Sequence, residues 1–206
     1  VPSRRKLSSA SSRRDRGRLF VISGPSGVGK GTVVGALLEA RPGLAFSVSC
    51  TTRPPRPGEE EGVHYRFVSP QEFERMIESG EFLEWAEVFG HRYGTPLAGV
   101  EEARDGGADV IVEVDVQGAR SVRERIPDAV LVFLRPPSEK ELARRLEARG
   151  TEVGRALDRR QAEARLELAE ASWFDHVVVN DRIENATREV LAIIDGTRRS
   201  AAEGAP

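Results

Sequence analysis

From Leu19 onward, short apolar runs alternate with stretches whose apolar residues recur every three or four positions. The first run, "LFVIS" at 19–23, is continuous, which marks a strand covered on both faces. After a glycine-rich loop, Val33, Val34, Leu37 and Leu38 share one helical face, and "RPG" ends that helix. "LAFSVSC" (44–50) predicts a second strand. "TTRPPRPGEEEG" predicts a loop, because its prolines suit neither a helix interior nor a central strand. Residues 64–93 read as a small insertion apart from the main sheet. "HYRFV" is a strand there, and "SPQEFERMIESG" is a helix with Ser69 as N-cap, Pro70 in the first turn, Glu72 completing a capping box and Gly80 ending it. "EFLEWAEVFGHRYG" supplies one or two more strands. The rhythm then resumes with a helix near 96–105, a strand "ADVIVEVDV", a strand "AVLVFL" and a helix over 138–149 opened by Ser138 and Glu141. A charged helix over about 153–171, a short strand "HVVVN" and a closing helix "ENATREVLAIIDGT" complete the chain. Strands alternating with helices predict an α/β fold with a mostly parallel sheet covered on both faces.

Composition narrows this picture. The 206 residues suffice for one well-buried domain, and no apolar run approaches the roughly 18 residues of a membrane span. The first 18 residues contain no apolar core, so no secretory signal is expected there. They hold seven Lys/Arg against one Asp, a charge of +6, which in a chain of net −2 leaves −8 for the remainder. Residues 1–17 therefore read as a disordered basic arm, either a solvated tail or a contact for a polyanion. Residues 199–206 read as a second frayed end. The acidic body argues against a dedicated nucleic-acid binder and no membrane partner is expected. The lone Cys50 has no partner for an internal disulfide, which suits a reducing, cytoplasmic setting. His64, His91 and His176 show no metal-ligand spacing.

Candidate chemistry begins with "GPSGVGKGT". Gly24, Gly29 and Lys30 fit the phosphate-binding loop pattern between a strand and a helix. Small residues let backbone N–H groups curl around a phosphate, the helix N-terminus faces the anion, and Lys30 adds a full charge. Gly31 stands where Ser or Thr usually meets Mg²⁺, and Thr32 follows. Metal contact is thus expected to be indirect, with Thr32 near a phosphate oxygen. Arg53 and Arg56 lie three apart in the proline-rich loop, where guanidinium forks suit a terminal phosphate. Tyr65 and Tyr93, the only tyrosines, offer hydroxyls to such a phosphate or belong to the core. Glu113 and Asp115, two apart on a strand, face one side. Such carboxylates are costly unless paired or near a metal.

In order along the chain, "GPSGVGKGT", "FSVSCTTRPPRPGE", "HYRFVS", "FLEWAEVFGHRYGT", "VDVQGA" and "RLEARGTE" together resemble the guanylate kinase family, from about residue 18 to 198. The resemblance implies a P-loop three-layer core on a five-stranded sheet, a mixed β/α GMP-binding insertion over 49–96 and a helical lid over about 140–165. It implies transfer of the γ-phosphoryl of MgATP to GMP, and to dGMP, in guanine-nucleotide recycling. ATP would contact Gly24, Pro25, Ser26, Gly27, Val28, Gly29, Lys30, Gly31, Thr32 and Asn180. The GMP phosphate would meet Arg53, Arg56, Tyr65 and Tyr93. Ser49, Glu84 and Thr95 would read guanine, with Glu84 accepting from N1–H and the 2-amino group, a donor pair adenine lacks. Without that pattern, Glu84 reads as a solvent-facing strand residue beside Trp85. Glu113 would support the acceptor and Asp115 would organise water-coordinated Mg²⁺, a structural ion pair being the competing account. Lys30, Arg53, Arg145, Arg149 and Arg160 would carry catalysis by neutralising charge on the transferred group. Arg144 and Arg159 have no such match and read as solvated.

Overall fold

The computed structural model describes residues 16–88, 90–148 and 155–203, with the side chains of 155–160 and 199–203 left aside. Strand β1 (Leu19–Ser23) is buried along its whole length. It sits at the centre of a parallel sheet with β2 (Ala45–Phe46), β7 (Val110–Glu113), β8 (Val130–Arg135) and β9 (His176–Val179), in the order β2-β7-β1-β8-β9. The two-residue period of the strand divides its side chains between two cores. Phe20 and Ile22 pack with Val33 and Leu37 of α1 (Lys30–Ala40), Leu142 and Leu146 of α5 (Glu139–Ala148) and Ile194 of α7 (Ile183–Glu203). Leu19 and Val21 face Val100 of α3 (Leu97–Asp105) and Ala119 and Val122 of α4 (Val116–Arg125). Each such large apolar side chain contributes about 1.5–3 kcal/mol on burial, and cover on both faces is why the apolar run of β1 is continuous.

The insertion forms its own sheet, β4-β3-β6-β5, from β3 (Cys50–Thr51), β4 (Arg66–Phe67), β5 (Phe82–Val88) and β6 (His91–Pro96). Beneath it, Phe73 and Met76 of α2 (Pro70–Glu78) pack with Cys50 and Phe82, and the Phe73 and Phe82 rings stack at 4.5 Å. Ser69 caps α2 by accepting from the Glu72 N–H at 3.1 Å, but the Glu72 carboxylate turns to Arg75 at 2.7 Å. Ser138 and Glu141 behave alike at α5, where Glu141 pairs with Arg144 and Arg145. In both expected capping boxes, an arginine one turn on outbids the backbone for the glutamate.

Three element boundaries also need correction. "LAFSVSC" is two strands in different sheets. Ser47 N–H still bonds to Ile111 of β7 at 3.1 Å, whereas the Ser49 carbonyl already accepts from Arg66 N–H at 2.9 Å. The apolar pattern runs through this change of sheet without interruption. "ADVIVEVDV" ends as a strand at Glu113, and the unpredicted helix α4 follows at Val116. Asp115 lies beyond the strand as the α4 N-cap, and its Oδ1 accepts from Gly118 N–H at 2.7 Å. β-branched Val112, Val114 and Val116 carry the strand alternation across that boundary and mask the cap. α6 (Arg155–Ala169) stops short of 171, and Glu170–Trp173 forms a 3₁₀ turn.

At the ends, Arg16 pairs with Glu101 and Asp105, and Gly17 N–H bonds to the Arg104 carbonyl at 2.8 Å. A Cβ at Gly17 would lie 1.7 Å from the Ala108 oxygen, so only glycine fits there. The rest of the basic arm lies outside the described residues, as do 204–206, while α7 continues to Glu203. Among the described residues, no helix is long and apolar enough to cross a membrane.

Candidate active site

The phosphate loop leaves the C-terminal end of β1, and α1 begins at Lys30. Gly24, Gly27 and Gly29 have φ of 139°, 81° and 99°, a region that disfavours side chains. Space forbids one at Gly24 too, where a Cβ would lie 2.2 Å from the Leu134 backbone oxygen, and at Gly29 a Cβ would lie 2.8 Å from Asn180 Nδ2, so that side chain would have to shift. Lys30 Nζ donates to the Gly24 carbonyl at 2.7 Å and reaches the Pro25 carbonyl at 3.5 Å. Pro25 and Val28 are buried, Ser26 and Gly27 half-buried, and Gly31 and Thr32 exposed at the start of α1. The buried Asn180 donates from Nδ2 to the Val28 carbonyl at 2.7 Å. Arg145 donates to that carbonyl and to the Asn180 carbonyl, each at 3.2 Å, and its Nε pairs with Glu141 at 2.9 Å. Flanked by Arg144 and Arg145, Glu141 has its pKa lowered to about 2. Arg145 and Asn180 thus brace the glycine-rich loop from outside.

The paired loop arginines are held differently. Arg53 is buried, and its guanidinium donates to Glu59 at 2.8 Å, to the Pro54 carbonyl at 2.7 Å and to the Tyr93 hydroxyl oxygen at 3.2 Å. It also lies 5.5 Å from the centre of the Tyr65 ring, which meets the Tyr93 ring edge-on at 5.9 Å. Glu59 then accepts from the Arg56 backbone N–H at 2.8 Å, shaping the loop that carries both arginines. Burial alone would raise the Glu59 pKa, but the Arg53 and Arg56 hydrogen bonds bring it below the usual value. Glu59 was missed in the sequence, and its one signal is an acid six residues after Arg53 in a proline-rich loop.

Beside them, β5 and β6 pair Glu84 with Thr95. Glu84 is 6% exposed and its neighbour Trp85 44%, so the acid points inward and the indole outward, the reverse of the hydrophobic rule. Thr95 Oγ donates to Glu84 Oε1 at 2.6 Å. Burial foremost, with the Asp115 charge, pushes the Glu84 pKa up to about 7 against the opposing Thr95 hydrogen bonds. Helix α4 approaches so closely that a Cβ at Gly118 would lie 2.6 Å from Glu84 Oε2. Ser49, half-buried, precedes β3 in the same sheet.

Glu113 spans the two halves. Its Oε2 lies 3.4 Å from the Cβ position of Gly31 at the start of α1, and its charge helps burial raise the Tyr65 pKa beside Arg53. The Asp115 charge acts on Glu84 and also on Glu167 beside Ser26. Among the described residues, no three His, Cys, Asp or Glu gather to hold a metal ion. Arg149 lies outside the described residues. Arg160 lies on α6 with its side chain outside them, as does the side chain of Arg159. The exposed Arg144 pairs only with Glu141 among its described partners.

A glycine-rich loop shaped for an anion thus accompanies a second sheet that carries a buried arginine and a buried carboxylate. Comparison with known proteins agrees. The guanylate kinase family model matches residues 16–197. A guanylate kinase from Symbiobacterium thermophilum is 55% identical over 181 residues, which cover 88% of this chain and 86% of that protein. One from Streptomyces coelicolor is 54% identical over 178 residues, covering 86% and 90%. The solved guanylate kinase from Anaplasma phagocytophilum superposes with a TM-score of 0.76 at 36% identity, covering 89% of this chain and 87% of that one. The loop, the second sheet and these relatives together establish that the chain belongs to the guanylate kinase family.

Proposed function

We propose that the chain transfers the γ-phosphoryl group of MgATP to GMP, and also to dGMP, giving ADP and the nucleoside diphosphate within cytoplasmic guanine-nucleotide recycling. One observation carries the choice of acceptor: a buried carboxylate, Glu84, set on Thr95 and given room by Gly118. Guanine offers two adjacent donors to such a group, and adenine would leave it buried without them, a loss of several kcal/mol.

The loop from Gly24 to Thr32 binds the ATP phosphates through its backbone, and Lys30 supplies the charge that follows the migrating group. Arg145 and Asn180 keep the loop in shape and border the donor nucleoside. Arg53, Arg56, Tyr65 and Tyr93 hold the GMP phosphate, and Glu59 keeps the planar Arg53 guanidinium aimed before substrate arrives. Ser49, Glu84 and Thr95 read the base. Glu113 orients the acceptor between the halves. Arg149 and Arg160 close from the lid onto the transition state.

The acids fit a Mg²⁺ ion that ATP brings with it. Gly31 has no side chain to offer, and one Asp115 oxygen is engaged by α4, so Asp115 and Glu113 would hold the ion through its water shell. When bound, the ion neutralises charge on the phosphates. Transfer itself is direct, by alignment and charge neutralisation. Closure of insertion and lid excludes water and suppresses ATP hydrolysis. A coupled ADP-release assay over GMP, dGMP, AMP and UMP tests the reading: turnover confined to the two guanine nucleotides is expected, and AMP turned over as fast as GMP refutes it.

A further inference from the structure

One carboxylate beside the phosphate loop has no task in this scheme. Glu167 lies near the C-terminal end of α6, and its Oε2 accepts a hydrogen bond from the Ser26 backbone N–H at 3.3 Å. The two residues are 141 positions apart, so folding alone brings this acid to the loop. Burial raises the Glu167 pKa, the Lys30 charge pulls the other way, and Asp115 and Glu163 add like charge. A carboxylate placed there takes up a backbone donor in a loop whose amides otherwise serve an anion.

The position within the loop identifies which anion. Lys30 Nζ lies against the Gly24 and Pro25 carbonyls, at the opening of the loop. In phosphate loops the lysine serves the β- and γ-phosphates, and the backbone amides cradle the α- and β-phosphates. Ser26 follows Pro25 directly, so its N–H lies at the lysine end, toward the γ side. Glu167 therefore combines a negative charge near Lys30 with a hydrogen bond from Ser26, the two interactions a γ-phosphoryl oxygen would make.

We propose that the Glu167 carboxylate stands in for the γ-phosphoryl group: it holds the Ser26 amide while that group is absent and is displaced, with the end of α6, when a triphosphate enters. The inference rests on the loop being the donor-nucleotide site. Arg160 lies on the same helix seven residues earlier, so displacement of Glu167 reports the γ-phosphoryl group to the lid. α6 then distinguishes ATP from ADP, and Glu167 re-engages Ser26 once the phosphoryl group has moved to GMP. Its role is to position the loop and discriminate between donor states.

The test compares the full-length parent chain with Glu167→Gln and Glu167→Ala. Calorimetry measures binding of β,γ-imido-ATP and of ADP without GMP, and hydrogen exchange follows residues 161–169. Removing one competing charge should tighten the triphosphate analogue about five- to tenfold, while ADP affinity changes less than about twofold. In the parent, the analogue but not ADP should speed exchange in 161–169; Glu167→Ala, which loses the bond to Ser26, should exchange fast without nucleotide. Unchanged or weaker analogue binding by Glu167→Gln, or equal shifts for analogue and ADP, overturns the proposal. Should Glu167→Ala fail to fold, the isosteric glutamine variant decides, because it removes the charge and keeps an acceptor for Ser26. A parent that binds neither nucleotide refutes the donor-site reading itself, a result distinct from a parent that binds both with no response to Glu167.

Discussion

Replacing Glu84 with glutamine separates two consequences of burying a carboxylate. Its pKa rises from the ordinary 4.5 to about 7, with burial the largest cause. The native protein then keeps a proton that the unfolded chain has already released. Stability linked to this group is present at low pH and is lost as the pH climbs from about 4.5 to about 7. Integrating that difference from pH 5 to pH 8 gives a loss of about 2–3 kcal/mol in the parent. For a domain of this size that is roughly 5–10 °C in Tm. Glutamine carries no such proton, so Glu84→Gln should gain that much on the parent between the two pH values. GMP needs the ionised form to accept its two donors, so its affinity for the parent should fall about tenfold per unit below pH 7. In the variant, GMP should bind about a hundredfold more weakly at pH 8, with ATP affinity within about twofold. Thermal melts at both pH values, with GMP and ATP calorimetry at pH 8, measure all of this. If parent and variant lose stability equally between pH 5 and pH 8, the buried acid is not held protonated. If GMP and ATP affinities drop together, Glu84 is not the base reader.

Gly118→Ala places a methyl group 2.6 Å from Glu84 Oε2 and should raise the KM for GMP about tenfold or more, with the KM for ATP unchanged in steady-state kinetics. Arg53→Lys keeps the charge but loses the planar fork shared by Glu59, Pro54 and Tyr93; an increase of about 10–100-fold in GMP Kd is expected by calorimetry. Lys30→Met should lower kcat by about a thousandfold or more, with a Tm close to that of the parent, as read from coupled assay and melt. Phe20→Ala empties a fully buried site in the central strand and should cost about 3–5 kcal/mol in urea denaturation without altering relative substrate preference.

Much of the fold was legible because its signals are local. "LFVIS" is continuous since β1 is covered on both faces, and Ser69 before Pro70 marks the start of α2 as cleanly in sequence as in structure. The loop glycines could be read because backbone amides need their conformations. The misreadings occurred where one local pattern serves two structures. "LAFSVSC" keeps its alternation while changing sheets, and the valines through 116 conceal the Asp115 cap. The inward-facing acid, Glu84, was legible only through family resemblance, because period-two reasoning turns Trp85 inward and Glu84 outward.

By itself, the sequence determined most of the order of elements and the glycine-rich loop between β1 and α1, since propensity, capping and glycine conformation act over a few neighbouring residues. Only the tertiary structure decided that Glu84 is buried under α4, that Glu59 holds Arg53, and that Glu167 reaches Ser26. Burial and electrostatic pairing depend on which surfaces meet in space, and for Glu84 and Glu167 those surfaces come from parts of the chain that sequence spacing does not join.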